Sequence, residues 1–335
     1  MFCSFNHLNR ELWVYLMQNA ALASSSPWII SKQQDLIWFI GSSVLGLTAL
    51  LVALPTGGLP SVFAFVWALA LDGPHVYSTA TRAVFDSQER RSLGRTWLLL
   101  IFILILSPIA IYLLGARTLF VFIATWGHYH ISKQHMGFVL IYKRKANERA
   151  DFKLDKYFTL VSLALPYLYF LSSLVIRSRI LLLLFTGSGL GLAVFYVFHQ
   201  SQLSTRNWPK LWLLASCIPL TWVAYLYAAT TSSGSGLLTA IIITNIPHSF
   251  QYLKLIWFHN SNRYSCSNGL LGILSRNWIR FFFAVVVLAL PSHFFRGSGG
   301  IFAALAGGLL MGHYLIDSKI WRVRGNPELA AALKL

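Results

Sequence analysis

Ten apolar runs divide this chain, at residues 36–55, 61–81, 96–115, 118–142, 157–175, 180–200, 211–229, 237–258, 281–295 and 300–320. A helix needs about 20 residues to cross a hydrocarbon core about 30 Å thick, and a segment in lipid must satisfy its own backbone hydrogen bonds. Repeated runs of that length predict an all-α fold, a polytopic membrane bundle of about ten transmembrane helices. The longest loops, 82–95, 143–156 and 259–280, are too short to bury a core. The expected organisation is an N-terminal segment at 1–35, a transmembrane bundle at 36–322 and a cytoplasmic tail at 323–335. Within the first of these, ELWVYLMQNAALASSS follows Arg10 and reads as an interfacial amphipathic helix.

A formal net charge of +17 raises the question of nucleic acid. The basic residues sort by loop instead. With the N-terminus in the cytoplasm, Arg117, Arg177, Arg179 and Arg296 alone fall in outer loops, Lys133 and Lys254 fall within spans, and every other Lys or Arg lies on the cytoplasmic side. Such a split is the positive-inside pattern, so the basicity is explained by a bacterial-type inner membrane with both termini cytoplasmic and no nucleic-acid partner. Cys3, Cys217 and Cys266 have neither metal-type spacing nor a disulfide framework and read as packing residues or free thiols.

The histidines can be placed independently of that topology. His75 falls near the cytoplasmic end of the second run, His128, His130 and His135 in the fourth, His199 at the end of the sixth, His248 and His259 on the eighth, and His313 on the tenth. Only His7 and His293 lie elsewhere. Ionisable groups are costly inside a bundle and face its interior, a cavity or an ion. Eight at similar depth on alternate helices point to one shared intramembrane metal site.

Short words repeat along the chain. Asp72-Gly73-Pro74-His75 matches Asn245-Ile246-Pro247-His248, and Gly127-His128-Tyr129 matches Gly312-His313-Tyr314, in the same order. The offset is even, which is the signature of a parallel internal repeat relating helices 1–4 to helices 7–10. At about 100° per residue, Asp72, His75, Thr79, Arg82 and Asp86 share a stripe, as do Asn245, His248, Gln251, Tyr252 and His259, and as do His313, Asp317 and Arg324. Asp72, Asn245, Gln134, Gln251 and Asp317 are thereby the candidates to orient the ligands, since a ligating imidazole needs a partner on its other nitrogen. In the fourth run His128, Ser132 and His135 share a face, whereas His130 and Gln134 lie on another.

Imidazole without thiolate suits iron, copper, zinc or nickel. A neutral four-histidine shell reached from lipid fits one ferrous ion with open positions, and His130, His135, His199 and His259 offer ligands for a second. Pro74-His75 and GHYLIDSKIW (312–321) resemble the bacterial retinal-forming β-carotene dioxygenases, and the histidine distribution is more distantly similar to the histidine-box desaturases and hydroxylases. Those resemblances imply non-haem iron, molecular oxygen, a lipophilic lipid or isoprenoid substrate and an electron donor. The chain departs from both families: it lacks HxxHH boxes, and ten helices exceed what the dioxygenases would have. Lys133 and Arg82, beside the presumed metal, would hold a phosphate or carboxylate head group. A b-type haem held by paired histidines and a membrane transporter stand as alternatives.

Overall fold

The computed structural model describes residues 26–231, 234–296 and 300–335. Among the described residues every regular element is helical. In chain order these are α1 (Lys32–Thr56), α2 (61–83), α3 (Ser87–Leu93), α4 (Thr96–Leu114), α5 (Ala116–Lys145), α6 (Phe152–Ser173), α7 (Arg179–Ser201), α8 (Trp208–Thr231), α9 (Gly234–Arg263), α10 (Leu270–Ser275), α11 (Trp278–Arg296), α12 (Gly300–Ile320) and α13 (Pro327–Ala332). Each apolar run coincides with helix. Five helices, α1, α4, α7, α8 and α12, are long and apolar enough to cross a membrane. The others fall short for visible reasons: α2 is interrupted, α11 is apolar only over Trp278–His293, and α5 and α9 carry polar groups inward.

Helices α4 and α7 are peripheral, with only 6% of their apolar windows buried and side chains such as Leu98, Ile105, Leu183 and Val194 turned outward. Helix α9 is the opposite case. It is buried over most of its length and packs on α1, α2, α5, α8 and α11, as expected of a helix with no exposed stripe.

The helices that carry most of the histidines run the same way. At one end of the bundle Arg82 donates to the Ile320 carbonyl at 3.0 Å, Asn262 to the Ala332 carbonyl at 2.9 Å and Lys145 to the Lys334 carbonyl at 2.9 Å. The C-terminal ends of α2, α5, α9 and α12 therefore meet there. The expected tail is a folded cap: Leu329 and Leu333 are buried, and Arg263 bridges Asp86 at 2.7 Å and Glu328 at 3.0 Å.

Buried charge is compensated. Asp155 on α6 accepts from Lys210 at 3.1 Å, from Lys143, and from the Tyr196 hydroxyl at 2.5 Å, which binds α5, α6, α7 and α8 together. Lys254 has Trp257, Trp278 and Trp38 rings 4.0, 4.5 and 5.2 Å from its Nζ, so the aromatic faces take the place of a carboxylate.

Two expectations meet a limit or a correction. Residues 1–25, with most of the interfacial helix, lie outside the described residues. Cys217 is a buried free thiol as expected, but Cys266 is disulfide-bonded and neither a free thiol nor a packing residue.

Candidate metal centre

Helix α2 does not run as a regular α-helix to its histidine. Pro74 lacks an N–H, and its ring presses on the carbonyl four residues back; the chain absorbs this in a π-helical stretch, Ala68–Asp72, immediately before Gly73-Pro74-His75. Gly73 allows α11 to approach: a Cβ there would stand 2.6 Å from His293 Nε2 and 3.2 Å from the Ala289 side chain. On α12 a Cβ at Gly312 would overlap Leu100 of α4. Gly73 lies two residues before His75 and Gly312 directly before His313, so close helix packing sets where those rings fall.

Four buried imidazoles from four helices meet: His75 of α2, His130 of α5, His248 of α9 and His313 of α12. His75 Nε2 lies 2.9 Å from His313 Nε2 and 3.2 Å from His248 Nε2. His75, His130 and His313 each bring a ring nitrogen within 4.8 Å of the other two. The His130 ring is centred 5.1 Å from that of His248 and 5.2 Å from that of His313, and it stacks on Tyr314 at 4.3 Å.

The surroundings orient His313 most completely. Its Nδ1 is 2.8 Å from the Thr79 hydroxyl. The Thr79 hydroxyl donates to Asp317 Oδ1 at 3.2 Å, and the Tyr252 hydroxyl donates to the same oxygen at 2.6 Å. With Nδ1–H donating to Thr79, the Nε2 lone pair of His313 points into the cluster. Asp317 Oδ2 also lies 3.9 Å from His130 Nε2, which places one buried carboxylate beside two of the four rings. The Nδ1 atoms of His75 and His248 and the Nε2 of His130 are buried without a hydrogen-bond partner.

The other four predicted ligands stand apart from this group. His128 faces α6 and α8: its Nε2 is 2.9 Å from the Leu163 carbonyl, and its ring stacks on Tyr167 at 4.5 Å. His135 Nδ1 bonds its own helix at the Ile131 carbonyl, 2.9 Å away. His199 pairs with Asp151 at 3.0 Å in a half-exposed position. His259 holds Asn260, which in turn donates to Thr81. The two faces of α5 are thus reversed from expectation, with His130 inward to the cluster and His128 and His135 elsewhere; among the described residues a second group from 130, 135, 199 and 259 does not form.

Of the predicted orienting residues, Asp317 is in place, and Gln134 donates to the His248 backbone carbonyl at 3.0 Å, pinning α5 to α9 across the site. Asp72 is buried at the end of the π-helical stretch. Asn245 accepts from Ser249 at 2.5 Å on its own helix. Gln251 donates at 2.6 Å to the carbonyl of Phe39, which lies in the π-helical stretch Leu36–Ile40 of α1, so it serves that irregular turn and not a ligand. Arg82 is engaged: fully buried, it pairs with Glu89 at 2.5 Å and lies over Trp321 at 4.4 Å, which corrects its reading as a head-group contact. Lys133 is half-buried. Thr79, Tyr252 and Tyr314 received no role from the sequence, although Thr79 and Tyr252 follow His75 and His248 by four residues and Tyr314 adjoins His313.

Of the histidines in the word echo, three share the centre and one does not. His75 and His248 meet at 3.2 Å, whereas His313 is in the cluster and His128 is not.

The chain matches no protein-family model, no curated protein and no solved structure. The resemblance to dioxygenases and desaturases therefore rests on its own few residues.

Proposed function

We propose that this chain is an integral membrane metalloenzyme whose four-histidine cluster holds a transition-metal ion, with iron the ion its ligand set favours. One observation carries the reading: three Nε2 atoms from three separate helices converge at 2.9 and 3.2 Å. Two nitrogens bound cis to one ion at about 2.0–2.1 Å are about 2.9–3.4 Å apart, so those spacings suit cis ligands of a single ion. The axial nitrogens of a b-type haem stand on opposite sides of the iron, about 4 Å apart, and are less well served. Neutral imidazoles leave the ion's charge uncompensated, and Asp317 supplies a buried carboxylate next to the shell.

The chemistry we assign is oxygenation, desaturation or hydroxylation of a lipophilic substrate, using molecular oxygen and an electron donor. Bound iron would supply activation of oxygen; the bundle supplies a buried setting, with lipid as the route for an apolar substrate. In this reading all ten apolar helices cross the membrane, α2, α5, α9 and α12 run in one direction as halves of a parallel repeat, and Lys133 contacts a polar head group. A transporter is less well supported, because the four clustered imidazoles form one centre and not a series of sites along the bundle.

Elemental analysis and the visible spectrum of detergent-purified protein test the reading. Iron near one equivalent per chain without a Soret band is the expected result. Metal-free protein that takes up none of iron, zinc, copper or nickel would overturn it, and a Soret band would replace it with haem.

A further inference from the structure

Beyond the histidine cluster and independent of it, a cavity of about 420 Å³ opens where α5 turns into α6. Lys143, Arg144, Asn147, Glu148 and Arg149 line its polar side, and Leu140 and Phe152 its apolar side; the one acid among them, Glu148, is held by two lysines. We propose that this cavity binds the phosphate head group of an anionic membrane phospholipid.

The argument begins with charge. The turn holds three acids, and each is paired within the fold. Glu148 accepts from Lys143 and Lys210, both at 2.7 Å, and from Asn207 at 2.9 Å. Asp155 takes Lys143 and Lys210, and Asp151 takes His199 at 3.0 Å. The guanidinium groups of Arg144 and Arg149 have no carboxylate partner among the described residues, and both side chains are exposed. Lys143 and Lys210 together balance Glu148 and Asp155, and Arg144 and Arg149 outnumber the one remaining acid, Asp151, so the turn keeps a net positive charge.

Shape and position supply the rest. Asn147 and Asp151 adopt left-handed backbone conformations, φ 51° and 57°, and backbone bonds from Asn147 to Arg144 and from Glu148 to Lys143 close the turn at 3.1 and 2.8 Å. Asn and Asp tolerate that conformation best among residues with a Cβ, and the loop is held in one form. The turn directly follows a helix that ends Phe-Val-Leu-Ile-Tyr-Lys-Arg-Lys, and Phe152 and Tyr157 are more than half exposed just beyond it. Exposed aromatic rings beside arginines mark the membrane–water boundary. Two planar guanidiniums suit a phosphate, and the apolar wall suits the first carbons of an acyl chain.

The test uses full-length protein, delipidated in neutral detergent and exchanged into nanodiscs of phosphatidylcholine with or without phosphatidylglycerol, with co-purifying lipid counted by native mass spectrometry. Wild type should retain one phosphatidylglycerol per chain. The variant Arg144→Gln/Arg149→Gln should retain it about thirtyfold more weakly, since each interfacial cation contributes about fivefold, while its melting temperature and metal content stay unchanged. Phe152→Ala should weaken retention by a smaller factor. Equal retention by the double variant would overturn the assignment. Displacement of the lipid by millimolar inorganic phosphate would overturn the lipid source and point to a soluble phosphate ligand. Loss of metal from the histidine cluster in any of these proteins would bear on the centre and not on this cavity.

Discussion

His75 and His313 lie 238 residues apart in the chain, yet their Nε2 atoms stand 2.9 Å from one another, each on a helix held by a glycine that a Cβ would disrupt. Neither ring can be replaced from its own helix, because no neighbouring residue on either helix carries an imidazole at that height.

That contact gives the first prediction. His75→Ala, His130→Ala, His248→Ala and His313→Ala should each reduce bound metal at least tenfold relative to wild type, whereas His128→Ala, His135→Ala and His199→Ala should leave it unchanged. Metal per chain after chelator challenge is the measurement. A profile that follows His128 and His135 instead would place the ion on the other face of α5.

The residues behind the ligands should matter nearly as much. Thr79→Val removes the acceptor of His313 Nδ1, and Asp317→Asn removes the buried carboxylate shared by Thr79 and Tyr252. Each should weaken metal affinity by about 10–100-fold. A competition titration against a chelator of known affinity reads this directly, with helical content by circular dichroism as the control. Unchanged affinity in both variants would remove Asp317 from the centre.

Stability should depend on Asp155 far from the centre. Its carboxylate is fully buried between Lys143, Lys210 and Tyr196. Asp155→Ala leaves two buried lysines sharing Glu148 as their one carboxylate and should cost about 3 kcal/mol. The loss should appear as a lowered thermal midpoint in detergent, with the metal-binding isotherm of the folded fraction intact.

Acid should loosen the C-terminal cap before the bundle. Burial pushes the Asp86 carboxyl up, but hydrogen bonds from Tyr264, the Glu89 amide and Arg263, together with the Arg263 charge, outweigh it and hold the group at about 2, below the ordinary 3.8. A carboxyl lowered in the folded state stabilises at pH values above its ordinary pKa and loses that contribution as pH falls from about 4 to about 2. The protection of the α13 amides, measured against their intrinsic exchange rate at each pH, should therefore fall over that window in wild type. In Asp86→Asn it should be low already at neutral pH; identical profiles for the two proteins would show that Asp86 does not secure the cap.

Much of the architecture was legible because the signal is additive over many residues. An apolar run of twenty residues forms helix whatever its neighbours do, and each run coincides with helix. The stripe holding His75 and Thr79, and the pairing of His313 with Asp317, were also readable, since residues four apart share a face on any α-helix. The orientation of α5 was not. That helix packs against α4, α6, α8, α9 and α12, and a helix enclosed on several sides has no single polar face for a wheel to find. His128 is satisfied by a carbonyl of α6 that only the tertiary fold brings near, and that left the inward place to His130. Gln251 and Arg82 were misread for a related cause. Their partners are a carbonyl in an irregular turn and the first residues of α3 and the end of α12, none of which follows from periodicity.

The four rings are spread from the second long helix to the twelfth element of the chain, and this orders events at birth. Synthesis proceeds from the N-terminus, so His75 is made 238 residues before His313. The converging nitrogens do not exist as a set until residue 313 has been made and α12 has docked beside α4. A product cut short before residue 313 lacks one corner of the cluster however well its earlier helices assemble, so an intact cluster certifies that translation has passed that point.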